Sequence, residues 1–286
     1  MLSYTFRHDE ARRSRFVRRL DRGATLLTKL VGDATLLARL ALPWEARGRR
    51  HAPDDQNPLV MVHGFGCDVG SLGFLVRILE IDGWRVCPIE LDTVGHGVED
   101  LAWRLLRHIQ RVKRRTGARR VDLIGHSLGG LVIRYFVQML AGYTHVDRVV
   151  TIGTPHSGGT LMSYAVEPLR RLGYFPEKSR GKSADQLLPG SPLYEHLNGS
   201  VFRVENCDKV DFTNIWSLTD ELMIPSWTAR FERATREKVY VLKGHIGLVL
   251  SPSVLRYVAE VLTSPPCPRA ATSPLPLSSA VPPQPS

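Results

Sequence analysis

The chain has 286 residues, 43% of them hydrophobic, and carries a net charge of +10. That length allows one large domain or two small ones with a sizeable core, and excludes a disordered or fibrous protein. Twelve Lys or Arg against five Asp or Glu in residues 1–50 put +7 of the net charge in an N-terminal arm, so the body is near neutral. Basic residues interleaved with aromatics are absent, which argues against a nucleic-acid partner.

Within the arm, Leu26, Leu27, Leu30, Leu36, Leu37 and Leu40 recur at roughly helical spacing with Arg and Lys between them. Such a basic amphipathic helix either packs on the body with a solvated basic face or lies peripherally on an anionic membrane surface. Lys29, Asp33 and Arg39 interrupt the run at 24–42, so it does not read as a membrane span. The first 22 residues are dense in arginine and include Asp9, Glu10 and Asp21, unlike a secretory leader. The expected location is cytoplasmic, peripheral to a membrane if the arm binds one.

Residues 51–58 form a polar linker, and the body follows. Leu59 to Val62 reads as a short buried strand, 71–81 as a helix, 84–89 as a strand and 98–115 as an amphipathic helix with Leu101, Leu105, Ile109 and Val112 on one face. Residues 119–124 read as a strand, 130–140 as a helix and 146–152 as a strand. This alternation predicts a mostly parallel central sheet with helices on both faces. The rhythm breaks after Gly158, and a long insertion at about 159–211 is expected to be a lid or cap. Leu161, Met162, Tyr164, Val166, Leu169, Leu172, Tyr174 and Phe175 make it apolar, as a lipid-facing surface or as a cover packed on the body. Strands resume at 212–218 and 238–242, and a helix with proline in its first turn covers 252–262. The domain is expected to end near residue 263. Residues 264–286 form a proline-rich tail expected to be disordered. Cys67, Cys87, Cys207 and Cys267 show no paired or metal-ligand spacing and read as isolated buried thiols. No residue pattern calls for a metal or a cofactor.

The chemistry gathers at the strand ends. Gly125-His126-Ser127-Leu128-Gly129 follows one strand and opens a helix. The pattern Gly-x-Ser-x-Gly arises by chance about 0.1 times in a chain this long, so its strand and helix context carries the weight. A serine on such a turn is pushed out of the backbone, and the glycines keep side chains off the adjoining strand and helix. It needs a base, and the base needs an orienting acid. Asp220 follows the strand at 212–218, and His245 follows the strand at 238–242, in the order Ser, acid, His. Both fall past the carboxyl ends of strands, where open α/β sheets place ligands. Glu221 is the competing acid. His126 points into the turn and reads as structural; His96 and His156 follow the wrong strands, and Asp208 and Asp211 precede theirs. The developing oxyanion needs N–H donors, expected from the backbone of Leu128 and of Phe65 in the loop His63-Gly64-Phe65-Gly66.

Four motifs, His63-Gly64-Phe65-Gly66, Gly125-His126-Ser127-Leu128-Gly129-Gly130, Gly153-Thr154-Pro155-His156-Ser157-Gly158 and Gly244-His245, together resemble the lipases and esterases of the α/β-hydrolase superfamily. The likeness is greatest to bacterial triacylglycerol lipases and more distant to acyl-protein and lipid deacylases. It covers roughly residues 58–262 and implies the α/β-hydrolase fold. It also implies a serine carboxylic-ester hydrolase using Ser127, Asp220 and His245, with Phe65 and Leu128 as oxyanion donors and a lipid or other hydrophobic ester as substrate. A thioesterase, a polyester depolymerase or a lipid acyltransferase would use the same triad. A membrane-docked scaffold of the same fold would not need it.

Overall fold

The structure, a computed structural model, describes residues 56–159, 171, 182–199 and 204–267. The arm at 1–50, the apolar stretch at 161–170 and 172–175, and the tail from 268 onward lie outside the described residues. Among those described, no helix is long and apolar enough to cross a membrane.

Six parallel strands make one sheet: β1 (Leu59–Val62), β2 (Val86–Ile89), β3 (Val121–His126), β4 (Val146–Ile152), β5 (Asp211–Ser217) and β6 (Arg236–Tyr240). Their spatial order is β2-β1-β3-β4-β5-β6. The chain runs from β1 out to β2, then returns to the far side of β1 and proceeds outward. The direction of winding reverses between β1 and β3, which leaves a crevice at their carboxyl ends. Val62 and Gly125 are partners in that pair.

Helices cover both faces because successive strand side chains point to opposite sides. Val60, Val62, Leu123 and Val149 pack beneath α2 (Val98–Thr116) and α3 (Leu128–Met139). Leu59, Met61, Ile124, Val150 and Ile152 pack against α1 (Gly73–Ile81) and α7 (Pro252–Thr263). Helix α2 carries Glu99 and Asp100 in its first turn and Lys113, Arg114 and Arg115 in its last, matching the helix dipole. Gly117, at φ 74°, ends it in the left-handed conformation.

The insertion is described at residues 182–199 and 204–211. Short helices α4 (Ser183–Gln186) and α5 (Pro192–Asn198) and a 3-10 turn (Val204–Lys209) pack on the body. Leu193, Tyr194, Leu197 and Cys207 join the α2–α3 core. Arg134 of α3 fastens this segment, donating to Leu197 O at 2.8 Å and to Asn198 Oδ1 at 2.6 Å. None of the four cysteines is in a disulfide, and only Cys207 is buried; Cys67 and Cys87 are half-buried and Cys267 is exposed. Burial pushes the Cys207 thiol up to about 12, so it stays protonated.

Candidate active site

Ser127 sits between β3 and α3 at φ 55°, ψ −124°. Among the described residues only Ala141 shares a positive φ without being glycine. Holding a side chain there costs roughly 1–3 kcal/mol. The surrounding glycines make the turn possible. A Cβ on Gly129 would lie 2.7 Å from His63 O and closer still to Val62 O, and one on Gly125 would lie 2.7 Å from Gly130 N. Helix α3 can therefore start directly above β1 and β3 only with glycine at both places. The Ser127 N–H donates to Ile152 O of β4 at 2.9 Å, which ties the turn to the next strand.

His245 and Asp220 meet beside this turn. The His245 Nδ1–H lies 2.9 and 3.0 Å from the two Asp220 carboxylate oxygens, and both residues are buried. With Nδ1 donating, Nε2 is left as the acceptor. Asp220 lies in the turn after β5. His245 is the first residue of the short helix α6 (His245–Leu250) rather than part of a loop. Gly153, after β4, closes the gap between them: a Cβ there would lie 3.2 Å from Asp220 Oδ2 and 3.3 Å from the His245 ring. The His245 ring also rests on that of His126, centroids 4.7 Å apart, which brings it next to the residue preceding Ser127.

The remaining expected residues separate cleanly. Among the described residues neither ring nitrogen of His126 has a hydrogen-bond partner. Burial, then the neighbouring His245, pushes His126 well below the usual histidine range and keeps it neutral. His156 stacks on Phe231 away from the site, while Asp208 and Asp211 pair with Arg233 and Arg236. Glu221 accepts the backbone N–H of His245 and does not reach its ring Nδ1.

The loop after β1 is braced by residues that a linear reading overlooks. Thr93 Oγ1 accepts the Gly66 N–H at 2.9 Å. The His63 ring spans 3.0 Å from Nδ1 to Gly64 O and 3.1 Å from Nε2 to the Leu91 N–H, so Nδ1 carries the proton. Gly64 passes close to the serine, with room for a Cβ only 3.1 Å from Ser127 Cβ. Leu128, opening α3, has a first-turn N–H that the helix itself does not bond. Phe65 packs with Val94 and Leu188 against Ala184 of α4.

A six-stranded parallel sheet with a serine elbow at its switch point and an Asp–His pair on the next strand ends is the α/β-hydrolase arrangement. The fold is that of the α/β-hydrolases, and the chain is similar in sequence to thioesterase-, lipase- and serine hydrolase-like proteins. Residues 58–197 match the palmitoyl protein thioesterase family. A triacylglycerol lipase of Pseudarthrobacter phenanthrenivorans is 32% identical over 108 residues, 38% of this chain and 31% of that one. A serine hydrolase-like protein of Danio rerio is 31% identical over 125 residues, 41% of this chain and 37% of that one. The match thus spans about a third of these relatives' length. The mature lipase of Bacillus licheniformis superposes with a TM-score of 0.62 at 18% identity, covering 76% of this chain and 95% of that one. Aspergillus fumigatus lipase B gives 0.57 at 17% identity over 80% of this chain and 59% of that one.

Proposed function

We propose that the protein is a serine carboxylic-ester hydrolase acting on hydrophobic acyl esters. The observation that carries the reading is the Asp220–His245 pair, 2.9 Å at its shortest, set beside a serine held at φ 55°. Ser127 Oγ attacks the ester carbonyl while His245 Nε2 takes its proton. Asp220 fixes the tautomer and stabilises the imidazolium. The N–H groups of Leu128 and Phe65 receive the tetrahedral oxyanion. Collapse expels the alcohol, which His245 protonates, and leaves an acyl-enzyme. Water, deprotonated by His245, then attacks the acyl carbon and releases the acid.

A greasy substrate is supported by the surface around the pair. Leu218, Ile224, Trp227, Val241, Leu242 and Ile246 are all exposed, Leu242 at 80%. They lie close along the chain to Asp220 and His245, whose two segments are joined where Thr219 Oγ1 donates to Val241 O at 2.9 Å. Apolar residues concentrated around a reactive pair suit an ester that arrives from a nonpolar phase. Relatives named as triacylglycerol lipases support the same class.

The match to the palmitoyl protein thioesterase family supports a second reading, acyl thioester hydrolysis by the same residues. A panel of p-nitrophenyl esters of rising chain length, run beside the corresponding acyl thioesters, separates the two by kcat/KM. Ser127→Ala should lower turnover of either by about 10³-fold or more. Undiminished turnover in that variant would remove Ser127 as nucleophile.

A further inference from the structure

Glu221 follows Asp220 directly, and the two carboxylates hold different parts of one histidine. Asp220 takes the His245 ring at Nδ1, 2.9 Å. Glu221 Oε2 takes the His245 backbone N–H, also at 2.9 Å. Gly244 lies beneath the Glu221 carboxylate, where a Cβ would come 2.8 Å from Oε2, so the glycine leaves the acid room to reach past it. Gly244 also offers no side chain to cap the helix it precedes. The N–H of the first helical residue has no partner within the helix, and Glu221 supplies one from beyond the end of the neighbouring strand β5.

We infer that Glu221 is a positioning residue for His245. This rests on the catalytic reading above. A ring held only at Nδ1 can still swing about that bond as its backbone shifts, and Nε2 then wanders from Ser127. Fixing the backbone nitrogen as well gives the residue two anchors and sets the direction of Nε2. The two loops remain stitched without Glu221: Ser217 Oγ accepts the Lys243 N–H, and Thr219 Oγ1 donates to Val241 O. Loss of Glu221 therefore loosens His245 while leaving the β5 and β6 ends joined.

The test compares wild type, Glu221→Gln and Glu221→Ala by ester kinetics and by the downfield proton resonance of His245 Nδ1–H, which needs no substrate. The alanine variant should lose about tenfold in kcat with KM within about twofold, because misplaced reacting groups cost rate rather than binding. Its Nδ1–H resonance should broaden or move. The glutamine variant, which keeps an acceptor and loses only the charge, should lose about threefold in kcat or less and retain the resonance. An alanine variant with wild-type kcat and an unmoved resonance would overturn the inference. Should wild type itself fail to turn over esters or thioesters, the proposed function falls, and the resonance alone still decides whether Glu221 orders His245.

Discussion

Both carboxylate oxygens of Asp220 lie within 3.0 Å of His245 Nδ1, and the pair is almost completely shielded from water. A charged acceptor in that position keeps the proton on Nδ1 and leaves Nε2 free to act as base. Asp220→Asn keeps the size of the group, removes the charge and allows an amide N–H to face the ring. The tautomer then inverts for part of the population. The expected outcome is a fall in kcat of about 10²–10⁴-fold with a much smaller change in KM, read from the pH profile of ester hydrolysis. A variant within threefold of wild type would show that another acid orients His245.

Thr93 supports the loop expected to bind the oxyanion without touching the reacting atoms. Its hydroxyl accepts the Gly66 N–H, and Ser183 Oγ donates to its carbonyl, so it also joins the loop to α4. Thr93→Val preserves the shape and deletes the acceptor. The freed loop should lower kcat by about three- to tenfold and leave KM nearly unchanged, a loss of the order of one hydrogen bond. Stopped-flow acylation with a p-nitrophenyl ester reads the step directly; equal acylation rates would remove Thr93 from the oxyanion loop's support.

Much of this arrangement is legible in the residues themselves. Strands β1, β3 and β4 are short apolar runs closed off by turn residues, and α2 shows four regularly spaced apolar positions, so local pattern suffices. Strand β6 shows why pattern fails elsewhere. The apolar run at 238–242 suggests the strand, yet the pairing covers Arg236–Tyr240, and Val241 and Leu242 are exposed beyond it. What holds the first residue of β6 is the Arg236–Asp211 ion pair, a contact across 25 positions that no local window contains. Helix α5 has seven residues, too few to establish a helical period, and its burial depends on Arg134 some sixty positions earlier. The Thr93 brace is non-local in the same way. Ser127, Asp220 and His245 stand out in the sequence because strand ends announce them; the residues that brace them lie on other segments.

The glycines of the elbow differ sharply from Gly73, which opens α1. Gly129→Ala would drive a methyl group into the carbonyls of Val62 and His63, which are backbone atoms and cannot move aside. It should destabilise the protein by about 3 kcal/mol or more, or prevent folding. Gly73 has ordinary helical dihedrals and open space around its missing Cβ. Gly73→Ala should raise stability by about 0.5 kcal/mol, through helix propensity and a less flexible unfolded chain. Urea unfolding of both variants provides the comparison, and similar midpoints would contradict the close approach of α3 to β1.

Arg134 is fully buried on α3, and among the described residues it pairs with no carboxylate. It donates instead to Gln138 Oε1, His156 O, Leu197 O and Asn198 Oδ1, and its guanidinium lies 4.5 Å from the Phe231 ring centre. Burial lowers its pKa to about 10, still charged at neutral pH. Arg134→Met fills the space but orphans several buried acceptors. The expected loss is about 3–5 kcal/mol in urea unfolding, with early protection loss in hydrogen exchange at Leu197 and Asn198. A stable variant with unchanged exchange there would show that α5 holds its place by apolar packing alone.

Acid should weaken the fold in a defined window. Burial pushes both His126 and His156 well below the ordinary histidine value of 6.5; His245 beside the first and Arg134 beside the second add to it. In the unfolded chain both take protons as pH falls through about 6.5 while the native state does not. Each therefore costs about 1.4 kcal/mol of stability per pH unit below that point, until its own folded value is reached. Asp122 acts in the opposite sense. Burial raises its pKa to about 6 despite the Arg148 guanidinium at 2.9 Å, so the native state takes a proton between about 6 and 4 that the unfolded chain takes only lower. It offsets one of the two histidines, while His108 and His145, also held below the ordinary value by burial, add to the fall. His156→Phe keeps the stacking on Phe231 and deletes one titrating group. From pH 6 to 5 its urea midpoint should fall less steeply than that of wild type, by about one proton's worth, whatever its absolute stability. Parallel slopes in the two proteins would mean that His156 is protonated in the folded state.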